Sequence, residues 1–159
     1  MRQADLRETD LSGADLRGAD LSGATLSQAY LRGSQVDEAT QLDPKWRLVW
    51  EIVNLGAAQR NLAGADLSWT DLRGAELSQA LLTGAELSWA DLRGANLSGA
   101  DLSNAYLGGA NLLGSDLREA LVNGAVFGWA RLDGANLTGV RYDTATRWPE
   151  GFSPEPAGP

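Results

Sequence analysis

The sequence predicts an all-β solenoid: a chain wound into short, four-sided coils stacked along one axis. Three observations carry that prediction. A five-residue phrase repeats without a slip seventeen times from Asn61 to Tyr142 and seven times from Ala4 to Glu38. Within each phrase a small residue, a polar residue and a large apolar residue alternate with period two, and the last position is glycine in fourteen of the twenty-four. Distinctive outward residues recur twenty positions apart, as Trp69 and Trp89 do, or Arg73 and Arg93.

Each observation has a structural consequence. The central position is Leu in twenty of the twenty-four phrases, the exceptions being Val36, Val122, Phe127 and Tyr142. Two residues earlier stands Ala in eighteen, replaced mostly by Thr9, Thr70, Ser34 or Ser115. Alternation of period two sends the Ala and the Leu to one face and the intervening Asp, Glu or Asn to the other. Glycine supplies a turn with positive φ. A helix cannot serve this pattern, because at about 100° per residue a period of five scatters the leucines around the whole circumference. One long strand fails too, since an odd period sends alternate leucines to opposite faces. Only a closed coil puts every Leu and Ala inside.

The outward residues set the size of that coil. Trp69, Trp89 and Trp129 fall at spacings of twenty and forty at the same place in the phrase. Four phrases per turn would stack them in a column on a square prism. At the strand spacing of about 4.8 Å, the phrases make about six coils and a rod roughly 29 Å long.

A phrase of the form Ala65-Asp66-Leu67-Ser68-Trp69, Ala75-Glu76-Leu77-Ser78-Gln79 or Ala95-Asn96-Leu97-Ser98-Gly99, repeated over about 120 of 159 residues, resembles the pentapeptide repeat family. The resemblance implies a right-handed quadrilateral β-helix with the central Leu and the preceding Ala turned inward. Burial of each Leu contributes about 1.5–3 kcal/mol, while Ala leaves room for facing leucines to meet across a narrow interior.

The chain divides into four parts within one domain. Residues 1–41 hold the first repeat block, which has under two coils and must stack on the later block to be stable. Ala4 and Leu6 begin the pattern with no evident cap, which suggests fraying or pairing with another copy. Residues 42–59 break the phrase, and the leucine frame slips by one: Val36 and Leu62 stand twenty-six apart. Asp43 as N-cap, Pro44 as first helical residue and Gly56 as C-terminal cap predict a helix near 44–55. Arg47, Glu51 and Asn54 share a polar strip on it; the other residues, Trp46 and Trp50 included, are apolar around roughly 220°. Such a helix either fills the break or offers an apolar face to a partner or a second copy. Residues 60–142 form the second block. In 143–159, Trp148 and Phe152 are expected to lid the last coil, and Ala145-Thr146-Arg147-Trp148-Pro149 echoes Ala39-Thr40-Gln41-Leu42-Asp43-Pro44 as one exit device used twice. This ending resembles those of cyanobacterial-type pentapeptide repeat proteins, and residues 155–159 are expected to be disordered.

Composition narrows the function by exclusion. Histidine and cysteine are absent, which removes the commonest general base, the thiol nucleophile and most transition-metal sites. Acid–base chemistry would fall to carboxylates on a convex surface, so no catalytic, cofactor or metal site is expected and the chain does not read as an enzyme. The net charge is −8 with a single lysine, which disfavours direct binding to nucleic acid or anionic membrane. No apolar run spans a bilayer and no leader is visible, so a cytoplasmic location is expected. The aspartates paired with Arg7, Arg17, Arg73, Arg93 and Arg118 read as a solvated face. Leu81, Leu113, Leu121 and Val126, at normally polar places, read as scattered surface residues.

These exclusions leave a non-catalytic protein–protein interaction or scaffold module. The candidate contact residues are Trp69, Trp89 and Trp129, which occupy a place that most phrases give to glycine, together with Trp46 and Trp50 of the helix. The expected partner is a protein, with homodimerisation through the N-terminal end or the inserted helix as one form. The resemblance implies an alternative. Some pentapeptide repeat proteins resemble B-form DNA in charge and girth and bind DNA gyrase, although those members dimerise through a C-terminal helical module and the tail after Tyr142 is short and proline-rich.

Overall fold

A computed structural model describes residues 1–154; the expected disorder of 155–159 lies outside the described residues. Strands shrink to their minimum here, each phrase contributing a single bridging residue. The bridges run in parallel at a register of twenty through the second block: Asn61 to Leu81, Asp101, Leu121 and Arg141 on one side, Asp71 to Asp91, Asn111 and Arg131 on another. Four such columns make the walls of a quadrilateral β-helix.

One phrase, Ala95 to Gly99, explains why five residues suffice. Asn96 N–H donates to the Ala75 carbonyl in the preceding coil at 2.9 Å, and Leu97 N–H to the Asp116 carbonyl in the following coil at 2.7 Å. Gly99 N–H donates to the Arg118 carbonyl at 2.8 Å, and Ala95 N–H turns back on the Leu92 carbonyl at 3.0 Å. Ser98 N–H is left without a backbone acceptor, and the Asn96 side chain supplies one, Oδ1 accepting at 3.1 Å. Asp71, Asp91, Asp101 and Asp116 accept from the residue two places on in the same way. The outward Asp or Asn is therefore more than a solvated charge. It closes a local turn that no other side chain closes as well.

The interior is dry. Leu67, Leu72, Leu77, Leu97 and Phe127 are 0% exposed, as are Ala80, Ala85 and Ala95. Thr70 and Ser115 replace Ala without penalty because their hydroxyls donate to the Leu67 and Leu112 carbonyls at 2.6 and 2.8 Å. Toward the N-terminal end the seal weakens, and Leu6 and Leu11 are only half-buried.

The helix α1 spans Pro44–Leu55 and lies between the two blocks. Asp43 precedes it but makes no side-chain capping bond; its carboxylate accepts from Gly23 N–H of the first block instead. Gly56 ends it, N–H to the Ile52 carbonyl at 3.2 Å. The polar strip of α1 ties the blocks together. Arg47 donates to the Thr40 carbonyl, Asn54 bonds Gly33 N–H and the Leu31 carbonyl, and Glu51 pairs with Arg60 at 3.0 Å. Lys45 reaches Asp66 at 2.9 Å. The blocks also meet directly, Gln28 N–H donating to the Trp69 carbonyl at 2.8 Å and the Arg73 guanidinium lying 4.3 Å from the Tyr30 ring centre.

Both exits from the coil use one device. Asp37 Oδ1 accepts from Gly18 N–H and Thr40 N–H, and the Thr40 hydroxyl lies 3.0 Å from the Leu16 carbonyl. Asp143 Oδ1 accepts from Gly124 N–H and Thr146 N–H, with the Thr146 hydroxyl 2.9 Å from the Val122 carbonyl. Each device takes one extra residue, so Asp20 bridges Gln41 and Val126 bridges Arg147. The first of these produces the slipped leucine frame. After the second, Trp148 lies flat on Phe127 with ring centres 4.8 Å apart, Tyr142 meets it edge-on, and Phe152 packs at 5.5 Å.

Two substitutions test this architecture. Ala95→Leu should lower stability by about 1–3 kcal/mol through overpacking, read as an earlier denaturant midpoint; an unchanged midpoint would contradict the narrow shaft. Thr40→Val keeps the shape of a side chain that is 4% exposed but strands the Asp37 and Leu16 partners. It should cost about 1–3 kcal/mol, with the loss concentrated in hydrogen-exchange protection of the first block.

Candidate functional site: an aromatic corner

Corners of the coil force the backbone into the left-handed region, where glycine is at ease and other residues are not. Trp69, Trp89 and Trp129 adopt it nonetheless, with φ of 57°, 60° and 59°. Each costs about 1 kcal/mol relative to glycine there. They occupy one corner, continued toward the N-terminus by Glu8 and Gln28, which are left-handed too. Trp69 and Trp89 stack with ring centres 5.3 Å apart and planes 14° off parallel. The Gln28 side-chain amide reaches past Trp69 and donates to the Trp89 carbonyl at 2.7 Å.

Beyond Trp89 the stack is interrupted. Gly109 holds the corner of the next coil, and the Trp89 indole leans over it so closely that a Cβ there would lie 2.7 Å from the ring. Trp129 follows one coil later and stands 83% exposed, against 49% and 47% for Trp69 and Trp89. The wall beside this corner changes character at the same level. Its outward column reads Asp66, Glu86, Tyr106, Val126, Arg147, so two carboxylates give way to an exposed tyrosine and a valine. The row between that column and the corner reads Ser68, Ser88, Gly108, Gly128. Gly108 and Gly128 are not among the positive-φ residues. Nothing in the backbone requires them, and their effect is to clear side chains from between Tyr106 and the tryptophans.

Many of the other aspartates are committed to structure. Arg73, Arg93 and Arg118 each grip the aspartate of their own repeat, Asp71, Asp91 and Asp116, at 2.6–2.8 Å. In the first block the Arg7 and Arg17 guanidiniums, by their hydrogen bonds, pull Asp5 and Asp15 down to about 2. Asp20, bonded by Arg2, is lowered to about 2 as well.

The helix tryptophans do not join the corner. Trp46 is 8% exposed and belongs to the core beside Val49, Ile52 and Val53, so its place in a contact surface is corrected: the apolar arc of α1 is consumed between the blocks. Trp50 is half-buried and its indole N–H donates to the Ser34 carbonyl at 3.0 Å. Leu55 alone of the helix apolar residues is strongly exposed. Trp148 and Phe152 sit at the C-terminal end of the stack. Tyr106, Gly108 and Gly128 were passed over in the sequence, and Val126, read as scattered, stands in line with Tyr106. The available signal was a glycine in the fourth place of the phrase, where Ser or Arg is usual and no turn calls for it.

Trp129 should be dispensable for folding. Trp129→Gly removes left-handed strain worth about 1 kcal/mol and little buried area, so the melting temperature should hold or rise. A loss above about 2 kcal/mol would make Trp129 a packing residue.

Comparison with known proteins places the chain. A solved pentapeptide repeat protein, Rfr23 from the cyanobacterium Cyanothece 51142, aligns at 26% identity and a TM-score of 0.59, over 87% of this chain and 90% of its own. The pentapeptide repeat protein alr5209 from Nostoc PCC 7120 aligns at 38% identity and a TM-score of 0.50, over 60% of this chain and 78% of its own. The shared fold is the right-handed quadrilateral β-helix. No curated protein matches the chain at a significant level. A family model described as pentapeptide repeats matches eight copies across residues 1–35, 61–99 and 100–139, leaving out the stretch that carries α1. By the repeats matched over most of its length, the chain belongs to the pentapeptide repeat family.

Proposed function

We propose that the chain is a non-catalytic, cytoplasmic protein-binding module whose contact surface is the corner carrying Trp69, Trp89 and Trp129. One observation carries this reading: three exposed indoles occupy left-handed positions that glycine would fill at lower cost. Folding gains nothing from Trp129, and exposed aromatic rings on a rigid support are the usual anchors of protein interfaces. A stiff rod presents them without paying the ordering entropy that a loop would. The commitment of Asp71, Asp91 and Asp116 to arginine partners supports the absence of catalysis, since no free acid–base pair is formed there.

The gyrase-binding alternative rests on the net charge of −8. The same local Asp–Arg pairs weaken it, because they neutralise the columns that would have to imitate a phosphate backbone. Dimerisation through the inserted helix loses support as well, with Trp46 buried and Trp50 bonded to the first block.

Affinity capture from the native cell tests the proposal. The chain should recover a specific protein set, and Trp69→Ala/Trp89→Ala should reduce recovery by about tenfold or more with the fold retained. Equal recovery by the wild type and the double variant would remove the corner from the binding surface.

A further inference from the structure

The geometry points to a second copy of this chain as an occupant of the aromatic corner, docked antiparallel about a two-fold axis between the coils of Tyr106 and Val126. This rests on the corner being a protein-binding surface, and it names one partner.

The first support is the unstacked, exposed ring of Trp129. Trp69 and Trp89 set a step of 5.3 Å between rings. Trp89 and Trp129 stand two coils apart, about 9.6 Å at the usual strand spacing. Stacked aromatic rings prefer centre separations of about 4.5–7 Å, so Trp129 stands beyond stacking reach of Trp89, and among the described residues no other ring stacks on it. The Trp89 indole itself covers Gly109, so an incoming ring meets that indole there, and Gly108 and Gly128 leave the approach from the Tyr106 wall clear of side chains.

The second support is that the wall complements itself. An isologous contact pairs each residue with a different one across the axis. With the axis half a coil from both Tyr106 and Val126, every level finds a suitable partner. Tyr106 meets the partner's Val126, and Gly108 meets the partner's Gly128, so the two backbones approach without side chains between them. Gly109 meets the partner's Trp129, whose ring comes against the Trp89 indole that covers Gly109. Glu86 and Arg147 lie one and a half coils from the axis on either side, so each faces the opposite charge of the other copy. Both are exposed, and among the described residues neither forms an ion pair within its own chain. Shifting the register by one coil in either direction loses the Glu86–Arg147 match and sets Trp129 against either the partner's Trp89 or the partner's Trp129. In the matched register each copy's Trp129 comes against the Trp89 indole of the other. A single wall of a narrow rod is a small interface, so the dimer should exchange readily, with a dissociation constant on the order of micromolar.

Sedimentation equilibrium of the full chain from roughly 10 to 500 µM tests this. The expected result is a reversible monomer–dimer equilibrium, weakened about tenfold or more by Trp129→Gly, Glu86→Arg or Arg147→Glu. The paired exchange Glu86→Arg/Arg147→Glu should return the affinity to within about threefold of wild type, since it inverts both charges across the same two-fold axis. Circular dichroism of each variant checks that the coil is intact. A chain that is monomeric throughout overturns the proposal, and so does a dimer indifferent to all three single variants. A monomeric chain whose capture of another protein still depends on Trp69 and Trp89 overturns self-pairing alone and leaves the binding module standing. If the dimer forms as described and nothing else is captured, self-pairing is upheld as the use of the corner.

Discussion

Closing every backbone N–H within five residues is the constraint on which the rest of the structure depends. In the phrase Ala95 to Gly99, two N–H groups reach the following coil, one reaches the preceding coil and one turns back on its own corner. The remaining N–H is met by the outward Asn96 side chain. Because each donor is satisfied locally or by a neighbour nineteen or twenty-one residues away, the inside is free to be wholly apolar. Leu and Ala then interlock in a shaft too narrow for water or for polar groups, except hydroxyls such as Thr70 and Ser115 that bond back to the wall. The alternation of small and large inside, and of Asp or Asn outside, are two answers to one accounting problem.

The inserted helix follows from the same constraint. A coil cannot simply stop, since its last turn would leave N–H groups and leucines open. At Asp37–Thr40 the chain leaves the wall through a compact Asp–Thr device that caps Gly18 and Leu16, and α1 then occupies the space between the blocks. Its polar strip faces the walls rather than water, with Arg47, Asn54 and Trp50 bonded to backbone groups of the first block. At Asp143–Thr146 the device recurs, and Trp148 stacks on Phe127 where the next layer of leucines would have been.

Against so regular a background, departures from the phrase carry information. A corner asks for glycine; tryptophan at Trp69, Trp89 and Trp129 defies it at some cost in stability. The place after the central Leu asks for Ser or Arg; Gly108 and Gly128 give up a side chain that the backbone would have tolerated. Both departures occur on one wall and one edge, and there the columns of paired charge give way to aromatic and apolar surface. A rod whose repeats already satisfy themselves can spend its exceptions on recognition.

The sequence by itself determined the solenoid, the inward Leu and Ala and the twenty-residue register through the phrase, and the helix at 44–55 through Pro44 and Gly56 where the phrase breaks, because each follows from local periodicity or terminus chemistry. It also exposed the Trp column, since a column in a rod is a repeat in the sequence. What the sequence left open were the contacts between segments without a common period. Whether Trp46 faced solvent depended on the two blocks closing on α1 from either side, and whether Asp43 capped that helix depended on Gly23 competing for its carboxylate. The alignment of Tyr106 and Val126 beside Gly108 and Gly128 emerged only when four walls were assigned, because neighbours on a wall lie twenty residues apart and differ in type. Periodicity fixes where a side chain points; what it meets there is decided by packing between parts of the chain that share no pattern.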